Sequence, residues 1–357
     1  MGGNLLKKFD LPESRIPREQ YDKIANEIIE KFKSLPYHSA IRRYYHGQVM
    51  IMMRAIPSLR NKESHGDIDF VVGSDQHCPS YSKELNLIKQ FIKDEFGYDP
   101  HCNDQTYSFP YLGYQMDIKF VQDSDFSSYL NYGSWGDCSN LMGKIFNKIG
   151  LHYGHKGLSY WINNNIYEAN PNLSNNYVLE KVVLTTDMRT ICVLGGFNYS
   201  KWFDGFDDEE EVFRFIAESR FFKKDIFYFE NLNHINKTRN RKRSMYANFI
   251  KWCQDVQPPD NINNYLSKDE YFTIYQNYFP ILSQAVGRNF TKYNTRKLSK
   301  SKINSSILME KYGIEQGPRL GKIMSTLKER YSDVNIIELS PEELDTIIKE
   351  IIYVCGN

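Results

Sequence analysis

The sequence predicts an α+β fold in which a mixed sheet is followed by mostly helical regions. Residues 48–56 and 68–72 are apolar runs with the length and composition of strands, and a polar loop joins them. Residues 104–121 predict a hairpin that turns at Gly113. From Phe126 onward, apolar residues recur mostly at helical spacing. Strand, loop, strand, helix and hairpin together give a mixed sheet, with the helical regions after it.

Helices are expected on both sides of these strands. Residues 18–33 place apolar side chains at spacings of three and four, and residues 82–96 do the same before Gly97. The acidic run 207–211 precedes an apolar run, as expected where carboxylates favour a helix N-terminus. Pro258-Pro259-Asp260 is the best linker candidate. The predicted division is an N-terminal helical segment, a sheet region, a mostly helical region and a C-terminal helical, partly basic region: 1–37, 38–128, 129–257 and 258–357.

Composition narrows the class of protein. The chain has 357 residues, 41% of them hydrophobic, which is enough for a sizeable core in two or three domains. Its 45 Lys and Arg residues balance 44 Asp and Glu residues, so net charge indicates no partner. Six scattered cysteines lack any C-x-x-C pair, which argues against a disulfide scaffold and a structural zinc site. Without a membrane-length apolar stretch or a signal peptide, we expect a soluble intracellular protein with no membrane partner, cytoplasmic or nuclear, with viral or phage origin left open.

Two carboxylates interrupt the second predicted strand. Asp67 and Asp69 are two residues apart, so they project from the same face of a strand. Two like charges held side by side are unfavourable unless a cation lies between them. A hard divalent ion prefers such oxygen ligands. The pair is therefore a candidate metal site, although two solvated carboxylates on an edge strand would give the same pattern.

A third carboxylate, Asp117, interrupts the second arm of the predicted hairpin. From an adjacent antiparallel strand it would complete a cluster with Asp67 and Asp69. Such a cluster can hold two divalent ions, Mg²⁺ or Mn²⁺, in the arrangement that clamps the attacking and leaving oxygens of phosphoryl transfer. The three aspartates are the predicted metal ligands and catalytic residues.

The chain resembles the nucleotidyltransferase superfamily, and specifically the family X DNA polymerases related to DNA polymerase beta. The resemblance rests on Glu63-Ser64-His65-Gly66-Asp67-Ile68-Asp69, preceded by Ser58 and a short basic loop, and on Met116-Asp117-Ile118. It also includes Gly133-Ser134 and Asn140 before a helix expected over 141–149. Pro57 stands where the family has the first glycine of its Gly-Ser turn.

The resemblance implies that the mixed sheet is a nucleotidyltransferase palm and that the protein is an enzyme. It would transfer a nucleoside monophosphate from an NTP or dNTP to the 3′ hydroxyl of DNA or RNA, with release of pyrophosphate and two metal ions bound. The implied nucleotide contacts are Ser58, Arg60, Lys62, Ser64, Gly66, Gly133, Ser134 and Asn140. The region 129–257 would bind nucleotide and acceptor.

Other acceptors and another class of function stay open. Members of the superfamily also act on RNA or tRNA ends, small molecules and proteins, and the fold cannot choose between them. A non-catalytic module that binds nucleic acid is the alternative of a different class. It is disfavoured because retaining three clustered acids without a metal is costly.

Two basic tracks are candidate phosphate contacts for a nucleic acid. The first is Arg239, Arg241, Lys242 and Arg243, followed by aromatics whose spacing predicts the core face of a helix. The second is Arg288, Lys292, Arg296, Lys297, Lys300 and Lys302, for which a solvated charged face is the alternative.

Overall fold

The computed structural model describes residues 5–35, 42–45, 48–74, 81–103, 105–163, 178–289, 305–330 and 341–355. The chain forms two compact units. Unit 1 contains Met1–Tyr160 and Val183–Phe272, and unit 2 contains Trp161–Val182 and Thr273–Asn357. The four predicted segments do not coincide with these units, because unit 1 takes residues from all four of them.

The structure is α+β. Its strands are β1 (Ile16–Pro17), β2 (Arg42–Tyr45), β3 (Gln48–Ile51), β4 (Met53–Ala55), β5 (Ser64–His65), β6 (Asp67–Ser74), β7 (His101–Asn103), β8 (Thr106–Tyr111), β9 (Tyr114–Gln122), β10 (His152–Gly154), β11 (Gly157–Asn163) and β12 (Val178–Thr185). The helices of the first 260 residues are α1 (Arg18–Phe32), α2 (Tyr81–Phe96), α3 (Asp123–Gly133), α4 (Cys138–Lys148), α5 (Met188–Gly195), α6 (Tyr199–Asp204), α7 (Glu209–Ala217), α8 (His234–Asn240) and α9 (Ser244–Val256). The later helices are α10 (Lys268–Tyr278), α11 (280–289), α12 (Ser305–Tyr312), α13 (Pro318–Arg330) and α14 (Pro341–Val354).

Unit 1 is built around a mixed five-stranded sheet with the order β4-β6-β9-β8-β7. The predicted hairpin is β8 and β9, which are antiparallel. The expectation of antiparallel carboxylate strands was wrong, because β6 and β9 are parallel, with Asp69 opposite Asp117. After β6 the chain passes through α2, which returns it to the end of the sheet where β6 starts. Two reversals, β7 to β8 and β8 to β9, then restore the direction of β6.

One face of this sheet is buried under α1 and α2. Ile68, Phe70 and Val72 of β6 are fully buried in a core that also holds residues of both helices and of β8 and β9. The alternation of a strand then directs Asp67 and Asp69 to the opposite face. Helix α2 ends where Gly97 adopts φ +80° and donates its N–H to the Lys93 carbonyl at 3.0 Å, as the sequence predicts.

The region after β9 is mostly helical, as predicted, but it also contains a second sheet that was not predicted, with the order β10-β11-β12. Strands β10 and β11 form a tight hairpin in which Gly154 is opposite Gly157. Gly157 adopts φ +97°, and a Cβ there would lie 2.4 Å from the Thr185 carbonyl oxygen. The acidic run starts α7 as expected, since the Asp208 carboxylate accepts the N–H of Glu211 at 3.0 Å.

The predicted linker lies within unit 1. Asp260 accepts the N–H of Lys224 at 2.8 Å, and the N–H of Asn261 bonds to the Phe222 carbonyl at 2.9 Å. In unit 2, helices α12, α13 and α14 share a core that includes Leu308, Ile323 and Ile348. Most of the second basic track lies outside the described residues, and Arg288, the member within them, pairs with Glu180 at 3.1 Å.

Two further features concern the described ranges as a whole. None of their helices is both long and apolar enough to cross a membrane. The five cysteines that fall in these ranges are free thiols.

Candidate functional site

Three aspartates converge on the exposed face of the five-stranded sheet. Asp67 and Asp69 lie on β6 and Asp117 on β9, and their nearest carboxylate oxygens all lie within 4.8 Å of one another. Ile68 and Ile118 are fully buried on the other face, so strand alternation fixes the direction of the acids. The structure therefore brings together the three residues that the sequence predicted as metal ligands.

Asp117 is held in place by neighbouring polar side chains. The Gln115 amide donates to its two carboxylate oxygens at 3.1 and 2.9 Å. The Gln115 amide oxygen in turn accepts the N–H of Leu5 at 3.1 Å, which orients the amide. A hydrogen bond from Ser108, the residue opposite Asp117 on β8, also favours the ionised carboxylate. These contacts leave an oriented carboxylate beside the other two.

The cluster has an electrostatic cost that a cation would remove. Burial raises the pKa of Asp69 to about 8, with repulsion from Asp67 and then Asp117 adding to the effect. Burial also raises the pKa values of Asp67 and Asp117. Asp69 nonetheless keeps an exposed side chain, although protein atoms surround it closely. That is the environment at the floor of an open cleft, and oxygen donors in it suit a hard divalent ion.

The cleft above the carboxylates has a volume of about 910 Å³. Four segments of unit 1 line it: the loop after β4, the turn between α3 and α4, the start of α7, and the turn between α8 and α9. Its acidic side chains are Asp67, Asp69, Asp137, Asp207, Asp208 and Glu209. Its basic side chains are Lys62, Arg239, Lys242 and Arg243. Carboxylates and cations thus share one ligand-sized cavity.

The loop after β4 contributes two of its predicted phosphate contacts to the cleft, Ser58 and Lys62. Ser58 Oγ lies 3.5 Å from Nδ1 of His65. Burial lowers the pKa of His65 to about 4, so this ring is neutral at pH 7. Ser58 and Lys62 therefore remain candidates for binding a phosphate.

Arg60, the third predicted phosphate contact of this loop, does not line the cleft. Its guanidinium forms an ion pair with Asp207 and donates to the Asp204 carbonyl at 2.7 Å. The backbone N–H groups of Arg60 and Asn61 bond to the carbonyls of Phe206 and Asp207 at 3.2 and 2.8 Å. Arg60 therefore joins the loop to the segment before α7 through its Nε and Nη1 donors.

Ser64 and Gly66 also lie away from the lining of the cleft. The Arg15 side chain donates to Ser64 Oγ and to the Ser64 carbonyl, both at 2.9 Å. Gly66 is buried between β5 and β6. Both residues lie on the chain segment that leads directly into Asp67, and the nucleotide contact expected at each stays a prediction.

The turn between α3 and α4 differs from its prediction. Gly133 lines the cleft, and Ile56 packs so closely that a Cβ at Gly133 would lie 2.8 Å from it. Ser134 ends α3 instead of preceding a helix, and its buried hydroxyl donates to the Leu130 carbonyl at 2.8 Å. Because α4 begins before Asn140, this residue lies inside the helix.

Asn140 does not line the cleft. Its amide donates to Asn240 at the end of α8, at 3.1 Å. The nucleotide contacts expected at Ser134 and Asn140 stay predictions, and neither side chain is among those that line the cleft. Pro57 connects the loop after β4 to the turn between α3 and α4, because its carbonyl accepts the N–H of Trp135 at 2.9 Å.

Three members of the first basic track line the same cleft as Asp67 and Asp69: Arg239, Lys242 and Arg243. Arg243 forms an ion pair with the nearly buried Asp137, whereas Arg241 is exposed and does not line the cleft. The prediction for the following aromatics is confirmed, because Tyr246 and Phe249 are fully buried on the core face of α9.

Sequence reasoning missed Asp137 and the position of 207–209 at the cleft. Trp135 and Gly136 both adopt φ +65°, and this sharp turn carries Asp137 to the cavity. The glycine in Trp135-Gly136-Asp137 was the available hint. Nothing local in the sequence predicts that the start of α7 packs against the loop after β4. In comparisons with known proteins, no family model and no curated protein matches this chain.

Proposed function

We propose that the protein is a metal-dependent nucleotidyltransferase. It would transfer a nucleoside monophosphate from an NTP or dNTP to the 3′ hydroxyl of a nucleic acid, releasing pyrophosphate. The observation that carries the proposal is the convergence of Asp67, Asp69 and Asp117, with oxygens within 4.8 Å, where Asp67 and Asp69 line a cleft of about 910 Å³. The same cleft has cations on its other walls, as a triphosphate requires.

The residues that would hold divalent ions are the three aspartates. Their carboxylate oxygens would bind the ions beside the attacking 3′ hydroxyl. Bound Mg²⁺ or Mn²⁺ would lower the pKa of that hydroxyl and neutralise charge on the leaving pyrophosphate. The Gln115 amide keeps Asp117 oriented, which preserves the ligand geometry through the reaction.

The cleft walls would position the nucleotide. Ser58 offers a hydroxyl and Lys62 a cation to phosphate oxygens from the loop after β4. Gly133 lines the same cleft and packs so closely against Ile56 that a Cβ there would lie 2.8 Å from it. Charge-assisted hydrogen bonds of this kind orient a phosphoryl group for in-line attack.

The test is extension of labelled DNA and RNA oligonucleotides, single-stranded and primed, with each triphosphate and with Mg²⁺ or Mn²⁺. Pyrophosphate release is measured in parallel. Asp117→Ala should abolish extension and pyrophosphate release. Asp255→Ala, a change of an exposed carboxylate on α9, is the matched control and should leave both unchanged.

Two outcomes would overturn parts of the proposal. Pyrophosphate release on a small molecule or a protein, with no oligonucleotide extended, would keep the transfer chemistry and reject the nucleic-acid acceptor. Metal-independent oligonucleotide binding, without triphosphate turnover under any condition, would reject the enzyme altogether.

A further inference from the structure

The turn between α8 and α9 carries the largest basic group of the cleft. Arg239 lies in the last turn of α8, Lys242 lies in the turn and Arg243 precedes α9. Arg239 and Lys242 are exposed and make no ion pair with another described residue, whereas Arg243 is occupied by Asp137. Two uncommitted cations thus line the same cleft as Asp67 and Asp69.

Resting on the proposed function, we propose that Arg239 and Lys242 bind the β- and γ-phosphates of the incoming nucleoside triphosphate. In this arrangement the subsite for the phosphate tail is completed from the α8–α9 turn, with Lys62 on the other side. The residue expected to grip it from the loop after β4, Arg60, is committed to Asp207.

Charge decides where the tail lies. The divalent ions would offset the charge of the aspartates, so the β- and γ-phosphates that extend beyond them are stabilised by basic side chains of the cleft. The acidic segment 207–209 excludes the tail from another wall. Among the lining residues, Lys62, Arg239 and Lys242 are the cations without a carboxylate partner in the described chain. The tail is therefore most stable between the loop after β4 and the α8–α9 turn.

Size favours a triphosphate over a nucleic-acid strand at this turn. The cleft, at about 910 Å³, lies within the range of small-ligand sites, roughly 300–1,000 Å³. An extended polyanion that followed the turn would also meet the acidic segment 207–209. A compact ligand with its charge concentrated at one end avoids that segment.

Polar contacts from α4 hold the turn in place. Asn140 donates to Asn240 at 3.1 Å, and the Lys144 ammonium donates to Asn236 at 3.1 Å. Burial, and then the charge of Arg239, lower the pKa of Lys144 to about 8. The charge of Arg239 thus contributes positive potential near the end of α8 before any ligand binds, which suits a polyanion.

The test compares Arg239→Gln and Lys242→Gln with Arg241→Gln, an exposed arginine of the same turn that lies outside the cleft. The full chain is titrated, in the presence of Mg²⁺, with a nucleoside triphosphate made unreactive by an α,β-methylene bridge, with the matching monophosphate and with inorganic tripolyphosphate. We expect Arg239→Gln and Lys242→Gln each to lower the affinity for the triphosphate roughly tenfold, and the affinity for tripolyphosphate by the same factor. Monophosphate affinity should stay unchanged, and Arg241→Gln should match the unaltered protein.

The outcomes separate this inference from the proposed function. If the unaltered protein binds the triphosphate no better than the monophosphate, both are overturned. If it prefers the triphosphate and neither glutamine variant reduces that preference, only the inference fails. If the variants weaken single-stranded oligonucleotide binding and leave tripolyphosphate affinity intact, the turn binds the acceptor, which also overturns the inference. Thermal unfolding of each variant confirms that the chain is folded.

Discussion

Replacing Asp69 with asparagine should stabilise the metal-free protein and abolish the transfer activity proposed for it. Burial and the charges of Asp67 and Asp117 raise the pKa of Asp69 to about 8, so the ionised form is less stable in the folded chain than in the unfolded chain. Asparagine has nearly the same shape, carries no charge and can accept a hydrogen bond. The substitution removes the repulsion and also a metal ligand.

The size of the effect follows from the pKa of Asp69. A pKa moved from 3.8 to about 8 would destabilise the folded protein by ~4 kcal/mol at pH 7 if it were fully expressed. The Asp69 side chain is exposed to solvent, which screens the repulsion. We therefore expect Asp69→Asn to stabilise by roughly 1–3 kcal/mol, or roughly 3–9 °C in Tm.

The effect should depend on pH in a defined direction. Because the folded-state pKa of Asp69 lies above its unfolded value, both states hold the proton below pH 3.8 and the penalty is absent there. The penalty grows as the pH rises and is complete above about pH 8. The stability gained from Asp69→Asn should therefore be small in acid and largest in weak alkali.

Thermal unfolding in EDTA at about pH 5, 7 and 8.5 measures this dependence. Asp255→Asn, on the exposed side of α9, is the matched control and should shift Tm little at any pH. Added Mg²⁺ or Mn²⁺ should raise the Tm of the unaltered protein and not that of Asp69→Asn. A variant that is destabilised in EDTA at about pH 8.5, or a difference independent of pH, would refute the reasoning.

Four further substitutions test residues at and near the cleft. Gly205→Ala should destabilise by roughly 2–4 kcal/mol in urea unfolding, because Gly205 has φ +83° and a Cβ there would lie 2.4 Å from the Trp135 ring. Arg60→Gln and Asp207→Asn should have similar effects on stability and a coupling below about 1 kcal/mol in a double-mutant cycle, since both side chains are about half exposed. A tenfold rise in triphosphate Kd for Arg60→Gln, without a rise for Asp207→Asn, would instead show that Arg60 binds a phosphate of the nucleotide. Ser134→Ala should cost about 1 kcal/mol of stability and leave triphosphate Kd unchanged, and a large rise in Kd would contradict its buried position.

The carboxylate cluster was predictable because its geometry is set by strand alternation. Ile68 and Ile118 mark the buried face on each strand, so Asp69 and Asp117 face the other way whatever the strands pair with. Strand direction was not predictable from the same pattern. The expected antiparallel pairing and the observed parallel pairing both place residues of one parity on one face, so the cluster forms in either case.

The phosphate side of the cleft was less predictable, because long-range contacts determine it. Arg60 has the local sequence of a phosphate-binding loop, but its partner Asp207 is 147 residues away. Ser134 and Asn140 match a motif in the sequence, and their hydrogen bonds to Leu130 and Asn240 direct both away from the cleft. Side chains of this kind acquire a role only when distant segments are packed together.

The two sides of the cleft therefore differ in how easily a substitution can displace their side chains. The aspartates lie on paired strands with fully buried residues behind them, and moving one requires disturbing the core of unit 1. The cations lie on turns that are held by individual hydrogen bonds and ion pairs, such as Asn140 with Asn240 and Arg243 with Asp137. Breaking one such contact costs less than opening the core, so it can shift a turn without unfolding the sheet. Changes in substrate preference should consequently map to these turns, whereas changes at the aspartates should remove metal binding and activity together.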